Sequence, residues 1–356
     1  MTVDRKRWTL TAFYALATIQ VAWCYLWLTR PYVNTLLYER GQERMPFQGR
    51  ALMMLPMRLA HSSSALRLTG KLFAVSHFWF PRPVQPEVLV QALVNVGCLA
   101  VTGLLTTRMY QASSRHRLLT PMVYPLVLAA FVATYILHTV QNFRFLYDLP
   151  SLAFFTTALY LLYLRKPVGW FVALFLVATV NRETTLLLLP LYLLDHSLQS
   201  GRLQWRRALR PQHLAVVLPL ALFWVGWEVF IRHHFAGNRS EFYPRLNWNV
   251  KSLLLPHAWP QLLSACGYLL PFVLLLRNRI PSRRLRAWLW LFPLWLLFMF
   301  SYGILIETRV FGELIPLVVC ASTLIFEELL LARLRRSGIL PRAARAPELP
   351  KLSRAA

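Results

Sequence analysis

The sequence predicts an all-α fold: a polytopic transmembrane helical bundle of about ten membrane helices, two of them half-helices, with interfacial helices in the first outer loop. Three observations predict it. Of 356 residues, 57% are hydrophobic and only 15% charged, a balance foreign to a soluble domain of this length. The apolar residues collect in runs close to the roughly 20 residues that a helix needs to cross a hydrocarbon core about 30 Å thick. Between the runs stand short arginine clusters, within a formal net charge of +25 from 39 Lys+Arg against 14 Asp+Glu. No basic run is long, so the charge reads as topological, and nucleic acid is not an expected partner.

The first run, Trp8 to Leu28, follows Arg5-Lys6-Arg7. It lacks a small-x-small cleavage site and exceeds a signal-peptide apolar region, so it is expected to stay as a helix with its N-terminus in the cytoplasm. Further runs fall near 87–106, 120–140, 148–164, 214–231, 260–276, 287–305 and 311–331. The loops this places inside are basic: Arg108, Arg115 and Arg117; Arg165 and Lys166; Arg202, Arg206, Arg207 and Arg210; Arg277, Arg279, Arg283, Arg284 and Arg286; Arg333, Arg335 and Arg336. That is the positive-inside pattern, and it puts both termini in the cytoplasm.

Residues 168–194 are the exception. Inside-type loops flank them on both sides, and Asn181-Arg182-Glu183-Thr184 interrupts the apolar run. A helix going out and a shorter one coming back satisfy both charges and lengths, with a polar tip that must be buried in protein or line a wet cavity. In the loop of about 30–86, Phe47 to Ala60 carries Phe47, Ala51, Leu52, Leu55 and Leu59 at helical spacing against Arg50 and Arg58, Leu66 to Phe80 is a second apolar-basic stretch, and both read as interfacial helices. Residues 1–332 thus form one transmembrane domain, and 333–356 a basic, disordered cytoplasmic tail.

On this map Glu39, Glu43, Glu87, Asp148, Glu183, Glu228, Glu241, Glu307 and Glu313 all lie at or near the outer face. Ions at membrane depth are costly unless paired or wet, so acids and arginines gathered there point to a polar cavity opening outward. Arg182 and Glu183 either cap two half-helices or hold a lipid-linked phosphate and orient it. Arg309 and Glu313, four apart, either form a structural pair on one helix face or mark the site. Glu39 and Glu43 in the first outer loop, and Asp148 beside Arg144 and Tyr147, are the candidate general bases; Arg50 joins the candidate substrate ligands. His233-His234 with Glu241 is a weak metal signal, and no cofactor is expected, although a divalent metal is compatible. Cys24, Cys98, Cys266 and Cys320 fall in apolar segments without metal or redox spacing and read as small hydrophobes.

Three blocks carry a family resemblance: Pro46-Phe47-Gln48-Gly49-Arg50-Ala51-Leu52, Asn181-Arg182-Glu183-Thr184, and Glu307-Thr308-Arg309-Val310-Phe311-Gly312-Glu313-Leu314-Ile315-Pro316. With the large first outer loop and interrupted helices, the chain resembles the GT-C class of polytopic glycosyltransferases, and within it a largely uncharacterised group of bacterial integral membrane proteins. The resemblance implies transfer of a sugar from a polyprenyl-phosphate donor to an envelope glycan or lipid acceptor at the periplasmic face, with inversion at the anomeric carbon. It also implies that Arg182 and Arg309 neutralise the departing phosphate. Members with established activity carry paired acids in the first outer loop, where this chain has Tyr38-Glu39-Arg40 and Glu43. A lipid or solute transporter or flippase, and a non-catalytic membrane component of an envelope-polysaccharide system, are the alternatives; the hydropathy shows no transporter-type repeat.

Overall fold

The computed structural model describes residues 3–74, 84–137, 142–199, 202–241 and 243–339. The end of the second loop stretch (75–80), the end of the 120–140 run and the tail from 340 onward lie outside them. The fold is all-α, with two-residue β-ladders pairing Arg30–Pro31 with Phe143–Arg144 and Leu198–Gln199 with Arg202–Leu203. The bundle is built from α1 (Val3–Leu28), α2 (Pro86–Ser113), α3 (Thr120–Tyr135), α4 (Asp148–Tyr163), α5 (Val168–Asn181), α6 (Leu188–Ser197), α7 (Pro211–His234), α8 (Leu291–Tyr302) and α9 (Ile315–Arg336). Among the described residues, five helical segments are long and apolar enough to cross a membrane: Trp8–Leu28, Pro86–Ser113, Pro211–His234, Arg283–Tyr302 and Thr308–Arg336.

These segments differ in where their apolar surface goes. The most apolar stretch of Thr308–Arg336 is 78% buried within the fold, whereas that of Pro211–His234 is only 17% buried. The last helix is therefore the central column, and α7 presents Leu218, Leu222, Val225, Val229 and Phe230 outward, as a lipid-facing helix does. Two polar contacts link helices across the bundle. Thr18 Oγ1 lies 2.7 Å from Tyr124 Oη between α1 and α3, and α9 places Glu327 where Tyr110 Oη, Ser114 Oγ and the Leu118 amide donate to it.

The break in 168–194 falls where expected. α5 ends at Asn181, Arg182 is extended at φ −163°, a 3₁₀ turn covers Glu183–Leu187, and α6 follows. Two sets of bonds to α4 give the direction of each arm. Asn181 Nδ2 donates to Tyr147 O at 3.1 Å and Ser151 Oγ at 2.8 Å, at the start of α4. Asp195 of α6 is gripped by Arg284, which also donates to Leu162 O and Tyr163 O at 2.6 Å each, at the end of α4. The arms therefore run in opposite directions beside α4, and the tip lies level with its first turn.

Two expectations are corrected. Residues 260–276 do not form one helix: Ala258–Leu263 and Leu269–Leu275 are separated by Cys266, Gly267 and Tyr268 at φ +54°, +67° and +63°. Left-handed backbone cannot continue a right-handed helix, and the Cys266 amide turns instead to Thr134 Oγ1 at 3.1 Å. Nor does Arg309 pair with Glu313. The segment Thr308–Leu314 is 3₁₀, where residues three apart, not four, share a face. Each ion finds a partner on another element.

Candidate functional site

The tip of the α5–α6 hairpin, the start of α4 and the turn before α9 meet in one buried ionic cluster. Arg182 Nη1 lies 3.0 Å from Glu313 Oε1 and 3.4 Å from Asp148 Oδ1. Thr184 Oγ1 also donates to Glu313 Oε1, at 3.0 Å. Arg309 reaches Asp148 Oδ2 at 3.7 Å and holds Glu307 Oε2 at 2.8 Å through Nε and 2.5 Å through Nη2. Arg50, from the first loop, grips Glu183 with Nε at 2.9 Å from Oε2 and with Nη2 on Oε1. Its guanidinium also stacks 4.1 Å above the Tyr147 ring. Bidentate and stacked geometry of this kind is what a guanidinium, and not an ammonium, provides.

Above the cluster opens a cavity of about 620 Å³. Its wall carries Arg50, Arg182, Arg239, Arg245 and Arg309, the carboxylates Glu183, Glu241 and Glu307, and the aromatic rings of Tyr32, Phe47, Phe143, Phe145, Tyr147, Tyr243, Trp248, Phe298 and Tyr302. A second cavity of about 540 Å³ adjoins it, lined by Trp224, Glu228, Ile231 and Phe235 of and beyond α7, and shares Pro46, Glu183, Ser240, Phe298 and Tyr302 with the first. Volumes in this range accommodate a ligand of sugar-phosphate size, with a few polar groups to orient it.

The rim is built by the segment after α7, sewn to the first loop. Met45 N donates to Arg239 O at 2.9 Å, Glu241 N to Met45 O at 2.8 Å, and Asn238 Nδ2 to Gly41 O at 2.9 Å and Glu43 O at 2.7 Å. Arg44 bridges Glu43 and Glu241 at 3.0 and 2.6 Å. On the far side Arg245 N donates to Ser301 O at 2.8 Å, and buried Asn249 donates to Phe300 O and Gly303 O, 2.8 Å each. Gly49 lets the first loop pass against α7; a Cβ there would sit 2.8 Å from Ile231 Cγ2.

The structure brings together Arg50, Arg182, Glu183, Arg309, Glu313 and Asp148, of the residues singled out from the sequence. It separates the others. Arg144 sits behind the site, where its guanidinium donates to Leu26 O and Thr29 O and so caps the end of α1. Glu43 is buried and occupied, accepting from Asn34 N at 2.8 Å and from Arg44. Glu39 is buried outside the cavity wall beside Arg58, His61 and Glu87. Burial holds its carboxyl above the ordinary carboxylate range, with His61 opposing and Glu87 reinforcing the shift. Asp148 is in the cluster but fully buried beneath Arg182 and Arg309, so the carboxylates that face the cavity are Glu183, Glu241 and Glu307.

The sequence did not single out Arg239, Arg245 and Tyr32 for the cavity wall, and it set Glu307 among the outer-face acids without a role of its own. Their signal was only composition: an outer loop that is at once basic and aromatic. His233 and His234 lie at the end of α7, and His234 stacks on Phe230 at 5.6 Å. Among the described residues no group of three or more His, Cys, Asp or Glu side chains converges as metal ligands would. Compared with known proteins, the chain matches no family model, no curated protein and no solved structure.

Proposed function

We propose that this chain is an integral membrane glycosyltransferase that moves a sugar from a polyprenyl-phosphate donor to an envelope glycan or lipid acceptor at the periplasmic face of the bacterial inner membrane. The observation that carries the reading is the cavity wall, where arginines, carboxylates and aromatic rings meet at the end of the bundle away from the basic loops. Rings stack on sugar faces, arginines offset phosphate charge, and an ionised carboxylate accepts the proton of an attacking hydroxyl. The charge distribution supports the orientation: Arg165, Arg284 and Arg333 to Arg336 fall at the opposite end, which the positive-inside pattern assigns to the cytoplasm. About ten crossings or half-crossings, with both termini cytoplasmic, fit this arrangement and the GT-C layout that the sequence resembles.

Among the carboxylates, Glu307 takes the role of general base. It faces the cavity and is held by two nitrogens of Arg309, which fix the direction of its carboxylate. The acceptor oxygen gives its proton to Glu307 and forms a bond to the anomeric carbon; the bond from that carbon to the phosphate oxygen breaks, and the electron pair leaves with the polyprenyl phosphate. Lining carboxylate Glu183 is oriented by Arg50 to hold a sugar hydroxyl. In reconstituted vesicles fed a short-chain polyprenyl-phosphate sugar and an envelope-lipid acceptor, Glu307→Gln should lower the transfer rate by about 10²- to 10⁴-fold. Transfer by that variant at the natural rate removes Glu307 from the chemistry.

One observation favours a second reading, a non-catalytic membrane component. Arg50, Arg182 and Arg309 are each already matched by carboxylates, as in a purely structural lock. No transfer by the natural protein from any polyprenyl-phosphate sugar that co-purifies with it would favour that reading.

A further inference from the structure

The deep cluster sets three arginines, Arg50, Arg182 and Arg309, against four carboxylates, Asp148, Glu183, Glu307 and Glu313. Its positive charge is spent within the fold. A phosphate placed on Arg182 would have to displace Glu313 or Asp148 from a guanidinium that is itself 8% exposed, and would bring a further negative charge among four. The two remaining arginines of the wall differ. Glu183 is held by Arg50, Glu241 by Arg44 and Glu307 by Arg309, and among the described residues no carboxylate lies within ion-pair distance of Arg239 or Arg245. Arg245 has only the Tyr243 ring, 3.7 Å from its guanidinium, and the Tyr243 hydroxyl. Both arginines spring from backbone that is fixed on opposite sides, Arg239 by Met45 and Arg245 by Ser301. The scaffold thus fixes the backbone from which both side chains reach the cavity wall.

The second cavity supplies the other half of the argument. It adjoins this rim through Ser240, Phe298 and Tyr302 and runs along α7, the helix whose outer surface is apolar and uncovered. Its wall sets Trp224, Ile231, Phe235 and Phe298 beside the Glu228–Arg232 pair, and the two rim arginines line the first cavity, which it joins at Ser240.

We propose that Arg239 and Arg245 form the phosphate subsite of a lipid-borne ligand whose chain lies in the cavity along α7, while Arg182 and Arg309 only position carboxylates. This rests on the reading above and relocates its phosphate from the hairpin tip to the rim. The shared chemistry is a phosphate ester on an apolar chain, which an isoprenyl phosphate and a bulk phospholipid both possess.

The test measures binding of farnesyl phosphate to the full chain in nanodiscs, with the natural sequence, with Arg239→Gln/Arg245→Gln, and with Arg239→Lys/Arg245→Lys. The glutamine pair should weaken binding by about 10- to 100-fold, as loss of two charge-assisted contacts does, and the lysine pair should recover part of it because the charge remains. Unchanged affinity in the glutamine variant, or absence of binding to the natural protein, overturns the subsite. Inorganic phosphate alone binding as tightly as farnesyl phosphate overturns the chain-binding half. If phosphatidylglycerol in the same discs competes on equal terms, the subsite stands as a lipid-headgroup site and the sugar-donor reading is what fails.

Discussion

Arg182 and Glu313 meet at 3.0 Å, joining the tip of the α5–α6 hairpin to the first turn below α9. The two residues are 131 positions apart in the chain, and the same guanidinium reaches Asp148 of α4, so it ties three elements together.

Arg182→Met should therefore act first on stability. Removing one partner from a buried ion pair leaves an uncompensated charge, which costs about 3–5 kcal/mol, here chiefly at Glu313, since Asp148 keeps Arg309. Thermal unfolding of the purified variant in mild detergent should show a large drop in midpoint; a variant that melts like the natural protein but binds no ligand would make Arg182 a ligand residue instead.

Arg50 and Glu183 should be energetically coupled. Their two-point contact ties the first loop to the hairpin, and neighbours in one network couple by about 0.5–3 kcal/mol. A double-mutant cycle with Arg50→Gln and Glu183→Gln, read by the same unfolding assay, checks this. Additive losses would mean that the pair contributes only shape.

Gly312→Ala should destabilise by about 1–3 kcal/mol, the usual range for overpacking a core. A Cβ at Gly312 would overlap the Tyr135 ring, and both residues are buried. Tyr135→Leu on the same background should restore part of the midpoint by vacating that volume. No restoration would place the strain elsewhere in the 3₁₀ turn.

Glu39→Gln should stabilise the fold at neutral pH and have little effect in acid. The Glu39 carboxyl is raised in the fold, chiefly by burial. A group that binds its proton more tightly when folded favours folding below the ordinary carboxylate range and opposes it as pH rises through the raised value. Unfolding midpoints of both proteins across pH 4 to 8 read the sign directly; a stabilisation that persists unchanged in acid would point to packing and not to charge.

The helical class and the break at Asn181-Arg182 were legible because they depend on local pattern: a run of apolar residues must be helical to satisfy its backbone in a membrane, and an Asn-Arg-Glu-Thr interruption cannot remain on a lipid face. Partners were not legible in the same way. Spacing placed Arg309 over Glu313, but that inference assumes an α-helix, and the turn is 3₁₀. The long reach of Arg50 was also hidden. Periodicity put it on the polar side of an interfacial helix, whereas the chain enters that helix only at Ala51 and Arg50 turns inward to Glu183. Arg144 looked like a site residue by proximity to Asp148, and its actual task, capping α1, depends on the parallel pairing of Arg30–Pro31 with Phe143–Arg144, a contact between segments distant in sequence.

The hairpin is fastened at both extremities, by Asn181 and Arg182 at the tip and by Asp195 on Arg284 and Trp288 at the foot. A carrier has to show its cavity to each side in turn, and in proteins of that kind a broken hairpin is commonly the part that travels. Here a stroke of either arm would have to part buried ions at two places roughly a bilayer leaflet or more apart, at once and without a compensating partner. The α5–α6 unit is therefore fitted to serve as a fixed anvil, against which other elements would have to work.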